Sequence, residues 1–105
     1  MDIIEKLSKL IDKHYITQHT ISFYEKELGL KPKYLSKLAK KNNTLPPCQL
    51  LLEKQIWHGK TLLKNTDKTV KEIASEMNFE DHFYFSKVFK RKTGQTPTEY
   101  RSSVK

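Results

Sequence analysis

A second cysteine is missing from this chain: Cys48 stands alone, which excludes an internal disulfide and a thiolate metal cage and suits a reducing compartment. Nor is there an apolar run of the roughly 18 residues that a membrane-spanning helix needs. The opening DIIEKLSKLIDKHY is amphipathic, without the charged start and continuous apolar stretch of a secretory leader, so a cytoplasmic protein is expected and no membrane partner. No stretch alternates polar and apolar residues long enough to make a strand. The four histidines, His14, His19, His58 and His82, have no metal-ligand spacing with Cys48 or with acidic residues, which predicts surface or capping roles and no metal. With three glycines there is no glycine-rich phosphate loop, and no nucleophile, base and orienting group stand in a recognisable arrangement. The chain is therefore expected to carry no catalytic residue and no cofactor, and 105 residues limit the core to one ordinary domain or two very small ones sharing a helix. Acidic residues are also scarce: 12 Asp and Glu face 20 Lys and Arg, a formal charge of +8 with a pI near 9.6. Such an excess favours a polyanion, nucleic acid ahead of an anionic membrane surface.

What is present is helical periodicity. Ile3, Leu7, Leu10 and Ile11 form a stripe over residues 2–15, with Asp2 and Glu5 fit to cap its start. Thr20 can cap a second helix through Leu28, where Ile21, Tyr24 and Leu28 share a face, and Gly29 can end it in the left-handed conformation. Pro32 suits the first turn of a third helix to about Lys41, which turns Leu35, Leu38 and Ala39 inward and carries Lys33, Lys37, Lys40 and Lys41 with no acidic residue. Pro46 and Pro47 can start a long helix to about Lys64 with Leu52, Ile56, Gly59 and Leu63 on one side. Thr69 and Glu72 make a capping box ahead of Val70, Ile73, Ala74 and Met77. A basic helix follows, with Phe85, Val88 and Phe89 on one face and Ser86, Lys87, Lys90 and Arg91 on the other. Gly94 ends it, and Thr96, Pro97 and Glu99 start a last short helix. The expected fold is all-α, about seven helices.

The two halves repeat. Leu28-Gly29-Leu30 returns as Met77-Asn78-Phe79 after 49 residues, and Ser36-Lys37 with Lys40-Lys41 returns as Ser86-Lys87 with Lys90-Arg91 after 50. Each half is a helix, a turn and a basic second helix, the helix-turn-helix arrangement that sets its second helix in a major groove. The expected organisation is a first subdomain with its lead-in helix over 1–45, a linker helix over 46–65 and a second subdomain over 66–105.

The stretch Thr69–Arg101, TVKEIASEMNFEDHFYFSKVFKRKTGQTPTEYR, resembles the second half of the DNA-binding domain of AraC-type transcription regulators. Ile73, Ala74, Phe79, Asp81, Tyr84, Phe85, Ser86, Phe89, Lys90, Gly94, Pro97, Tyr100 and Arg101 stand in register with that family's pattern. The resemblance runs upstream through Tyr24, Leu28, Gly29, Leu30, Tyr34, Leu35, Ser36, Lys40 and Leu62-Leu63, covering roughly residues 15–101. Four positions depart from it: Asn78 stands at the turn glycine, Glu25 at a small-residue position, Thr44 at the glycine that pairs with Gly94, and Gln55 at a frequent linker arginine. The resemblance implies sequence-specific binding of double-stranded DNA for transcription regulation, by two recognition helices in successive major-groove segments. It also implies a separate sensing or dimerisation domain ahead of this one in most members, with RNA polymerase a candidate partner. The short lead-in after Met1 suits a standalone activator or a fragment of a longer regulator, and the fragment is the favoured expectation.

Helix position and resemblance together nominate Lys33, Ser36 and Lys37 as base contacts of the first unit, and His82, Phe83, Ser86 and Lys87 of the second, with Phe83 meeting a thymine methyl and Lys87 guanine acceptors. Lys87 stands where the family commonly has arginine, which removes the bidentate fork. Lys40, Lys41, Lys90, Arg91 and Lys92 lie farther along and are expected at phosphates. Plainer readings stand beside these: a surface lysine can be simply solvated, and Phe83 can be core. Trp57 and Tyr100 read as core or inter-unit packing, and Cys48 as a small buried or half-buried side chain. The alternative function is a basic protein-interaction or anionic-surface-binding helical module without sequence selectivity.

Overall fold

An apolar stripe repeating at three and four residues must find a surface to bury itself against, and α1 (Ile3–His14) does so with Leu7 and Ile11. Its start is fixed by Asp2, whose carboxylate accepts the Glu5 N–H at 2.9 Å. The computed structural model describes residues 2–104, and among them it holds seven α-helices and no strand, as the periodicity predicts. The others are α2 (Ile21–Glu27), α3 (Tyr34–Lys41), α4 (Pro47–Asn65), α5 (Val70–Glu76), α6 (His82–Thr93) and α7 (Pro97–Val104). Two compact units divide within α4, Met1–Lys54 and Gln55–Lys105.

In the first unit Leu7, Ile11, Tyr15, Tyr24, Leu35 and Leu51 make the core. Tyr24 is fully buried, and its hydroxyl donates to the Gln18 carbonyl at 2.9 Å, which satisfies the phenol that burial pushes up to about 12 in pKa. Lys54 reaches Asp12 at 3.2 Å and lies over the Tyr15 ring. Glu25 is only 9% exposed; it joins the interior of its helix pair instead of reaching out to solvent.

In the second unit Ile56, Leu63, Ile73, Ala74, Met77, Phe85 and Phe89 are buried. Phe85 packs 5.0 Å from Phe79 and 5.8 Å from Phe89, and Tyr100 meets Phe89 edge-on at 5.6 Å. Gly59 is where α4 comes close to these rings: a Cβ there would stand 3.2 Å from Phe85 Cζ. Arg101 ties α7 to the end of α4 by donating to the Leu63 carbonyl at 3.1 Å and the Thr66 carbonyl at 3.3 Å.

Several expectations about boundaries and burial are corrected. The third helix starts at Tyr34, not Pro32. Lys33 holds the N-cap place in the left-handed region (φ 68°) with no side-chain cap, because neither Pro32 nor Lys33 has a side-chain acceptor for the first-turn N–H groups. Thr20 does occupy the N-cap of α2, but its side chain makes no capping bond. The left-handed residue that closes α3 is Asn43 (φ 54°) and not Thr44, so the turn takes the residue type that tolerates it and Thr44 is spared. Trp57 is 54% exposed, since it lies about 100° around α4 from Ile56, off the buried row. Cys48 is exposed in the first turn of α4.

Candidate nucleic-acid interface

Both helix pairs turn by the same hydrogen bonds. After α2, Gly29 N–H donates to Lys26 O at 3.1 Å and Leu30 N–H to Glu25 O at 2.8 Å; after α5, Asn78 N–H donates to Ser75 O at 3.0 Å and Phe79 N–H to Ala74 O at 2.9 Å. Gly29 has φ 68° and Asn78 φ 62°, so asparagine adopts the left-handed backbone that glycine supplies in the first unit. Bond for bond, the 49-residue repeat in sequence is a repeat in backbone geometry.

Entry to the second helix differs between the units. Asp81 caps α6 by accepting the Tyr84 N–H at 2.7 Å, and the helix runs 12 residues; α3, without such a cap, runs 8. The loop before α5 is fixed by the reciprocal bonds of Thr69 and Glu72, 2.9 and 3.1 Å. Asp81 is the positioning residue that periodicity alone does not reveal: it stands outside any apolar pattern, and the signal for it is a carboxylate three residues ahead of the bonded N–H.

At the 50-residue offset the exposed faces also correspond. Leu35 and Phe85 are both fully buried, which turns the opposite side of each helix outward. On α6 that side carries Phe83, Lys87, Lys90 and Arg91, all exposed, with Lys92 exposed nearby; His82 and Ser86 are half-buried on the flank. On α3 it carries Ser36, Lys37, Lys40 and Lys41, all exposed, with exposed Lys33 just before the helix on its left-handed N-cap. Phe83 is not core: it is 74% exposed, and its ring lies 4.1 Å from that of His82. Tyr34 and Tyr84, 41% and 51% exposed, occupy matching places beside these faces.

The helix-turn-helix domain family matches residues 24–103, the span that holds both bonded turns and both cationic helices. The chain belongs to the AraC-type helix-turn-helix family. Membership makes this AraC-type domain a DNA-binding module of transcription regulation and not an enzyme. Over 94% of its length it is 33% identical to the HTH-type transcriptional regulator YijO of Escherichia coli. Among solved structures it is 37% identical to the C-terminal domain of the response regulator yesN from Fusobacterium nucleatum, covering 92% of this chain and 95% of that one with a TM-score of 0.84. It is also 28% identical to the C-terminal domain of AraT, a response regulator from Geobacillus stearothermophilus, covering 98% and 86% with a TM-score of 0.88. The domain spans about a third of the length of the curated relatives it matches. No helix among its described residues is long and apolar enough to cross a membrane, and no group of three or more His, Cys, Asp or Glu among them is placed to hold a metal ion.

Proposed function

We propose that this AraC-type domain reads double-stranded DNA with α3 and α6 in successive major-groove segments, as the output part of a cytoplasmic regulator. The observation that supports this best is the doubled cationic face: Lys37 and Lys40 on α3, Lys87 and Lys90 on α6, each set behind the same bonded turn. Lys33, Ser36 and Lys37 in one unit, and His82, Phe83, Ser86 and Lys87 in the other, are the base contacts in this reading. Lys40, Lys41, Lys90, Arg91 and Lys92 meet phosphates and supply affinity without sequence information. Residues 1–45 and 66–105 are then the two reading subdomains and 46–65 their linker helix. A sensing or dimerisation domain joined to this one, and contact with RNA polymerase, belong to the same reading. The relatives' greater length supports the first; the second rests on the family alone.

Selection of bound duplexes from a random pool tests it. The expected result is a motif with two submotifs about ten base pairs apart, weakened in one submotif by Lys37→Ala and in the other by Lys87→Ala. If every unrelated duplex competes equally and both variants weaken binding uniformly, the domain is instead a basic surface-binding module without selectivity.

A further inference from the structure

Three aromatic side chains follow one another where α6 begins: His82, Phe83 and Tyr84. A phenylalanine left in water forgoes the stabilisation of burial, yet Phe83 is 74% exposed while Phe85, two residues on, is fully buried. The Phe83 ring lies against His82 with centroids 4.1 Å apart and planes at 34°, and Tyr84 beside it is held 6.1 Å from Phe79.

What α6 lacks is equally informative. From His82 to Thr93 it has no Asn, Gln, Asp or Glu, and its one arginine, Arg91, stands in the third turn. Near its start Lys87 offers a point charge to a purine acceptor and His82 and Ser86 offer single polar contacts, while Phe83 can address only the apolar feature of the major groove, the C5-methyl of a pyrimidine. The first unit has Lys33 at the place of Phe83, so the apolar ring belongs to the second unit alone.

Building on the DNA-reading proposal above, we propose that Phe83, backed by His82, reads pyrimidine C5-methyl groups, so that the second unit recognises thymine through its methyl and accepts 5-methylcytosine at the same step. The two bases carry that methyl at the same place in the groove and differ at C4, oxygen in one and an amino group in the other. A hydrocarbon ring makes no hydrogen bond that could tell these C4 groups apart.

The experiment uses the full chain and the duplex recovered by selection. Each thymine is replaced in turn by deoxyuridine, and in a second series its pair is replaced by C·G or by 5-methylcytosine·G. At one or two thymines of one submotif, deoxyuridine is expected to weaken binding about fourfold per methyl, and 5-methylcytosine to bind about fourfold tighter than cytosine. Phe83→Ala removes both differences, Phe83→Leu keeps part of them, and Lys87→Ala lowers affinity while leaving them intact. Because Phe83 is exposed, the melting temperature of Phe83→Ala stays within a degree or two of the parent's. A selective motif whose thymines all tolerate deoxyuridine overturns the methyl reading and leaves base reading standing, as does a Phe83→Ala variant that retains the full difference. Absence of any preferred duplex overturns base reading and the methyl reading with it.

Discussion

Gly59 shows how a single missing Cβ sets the packing of the second unit. In mid-helix, alanine ordinarily improves on glycine by roughly 0.5–1 kcal/mol. Here the added carbon would stand 3.2 Å from Phe85 Cζ and 3.4 Å from its neighbouring ring carbon, and that ring is fully buried against Phe79 and Phe89. With no room to retreat, overpacking outweighs propensity. Gly59→Ala is expected to lower stability by about 1 kcal/mol net, and Gly59→Val by more, read as the urea midpoint of unfolding; a Gly59→Ala protein more stable than the parent would show that Phe85 can give way. The sequence places Gly59 on the inward side with Ile56 and Leu63, but spacing alone does not say that a ring fills the gap. The same limit applies to Trp57 and Phe83. Periodicity defines a face to within about one residue, 100° of rotation, and each of these aromatics lies one such step or more outside the buried row.

Helix termini were more legible than helix faces, because caps are short, local and chemically specific. The boxes at Thr69 with Glu72 and Thr96 with Glu99 both close as reciprocal pairs, 2.9 with 3.1 Å and 2.8 with 3.1 Å. Each glutamate is held below its usual value of 4.5, first by the N–H of its cap residue and then by that residue's hydroxyl. A carboxylate whose folded pKa lies below its unfolded one adds stability that is complete above the unfolded value and is lost as the pH falls through the folded one. The melting temperature should therefore decline as the pH drops below about 5. Glu72→Gln with Glu99→Gln, which keeps an acceptor but removes the titration, is expected to flatten that decline; an unchanged slope in the double variant would remove these two caps as its source. Where the sequence offers no cap, spacing alone misplaces the boundary. Before α3 the chain has Lys31, Pro32 and Lys33, none of them with a side-chain acceptor, so the helix begins two residues later than Pro32 suggests. Asn43, not Thr44, takes the left-handed residue at its end, a choice that depends on where the last turn closes.

At the scale of the whole molecule, charge decides affinity before any base is read. An excess of eight positive charges on a chain of this size draws a duplex by releasing its condensed counterions, so binding falls linearly in log–log terms with salt at about 0.9 per phosphate contact. The duplicated helices predict that this dependence is shared between the units. Lys40→Gln and Lys90→Gln stand at matching places, one on α3 and one on α6, and both are exposed. Each is expected to lower the slope by about one contact and the pair by about two, with the selected motif unchanged. Lys37→Ala and Lys87→Ala should behave differently, degrading one submotif each, because a base contact carries sequence information and a phosphate contact does not. Duplication is visible in the residues because the turns and the cationic positions recur at nearly constant offset, while the unequal lengths of α3 and α6 are not, since they depend on both ends: Asp81 caps a start two places earlier in α6, and α6 runs two places further to its Gly94 cap than α3 does to Asn42. The uncapped start of α3 leaves Lys33 on a left-handed residue ahead of the helix, whereas Phe83 at the matching place lies inside α6. Measured as salt slopes and motif strength together, the four lysine variants separate a two-unit reader from a single reader with a basic flank: in the latter, Lys40→Gln changes the slope and Lys37→Ala leaves every motif position intact.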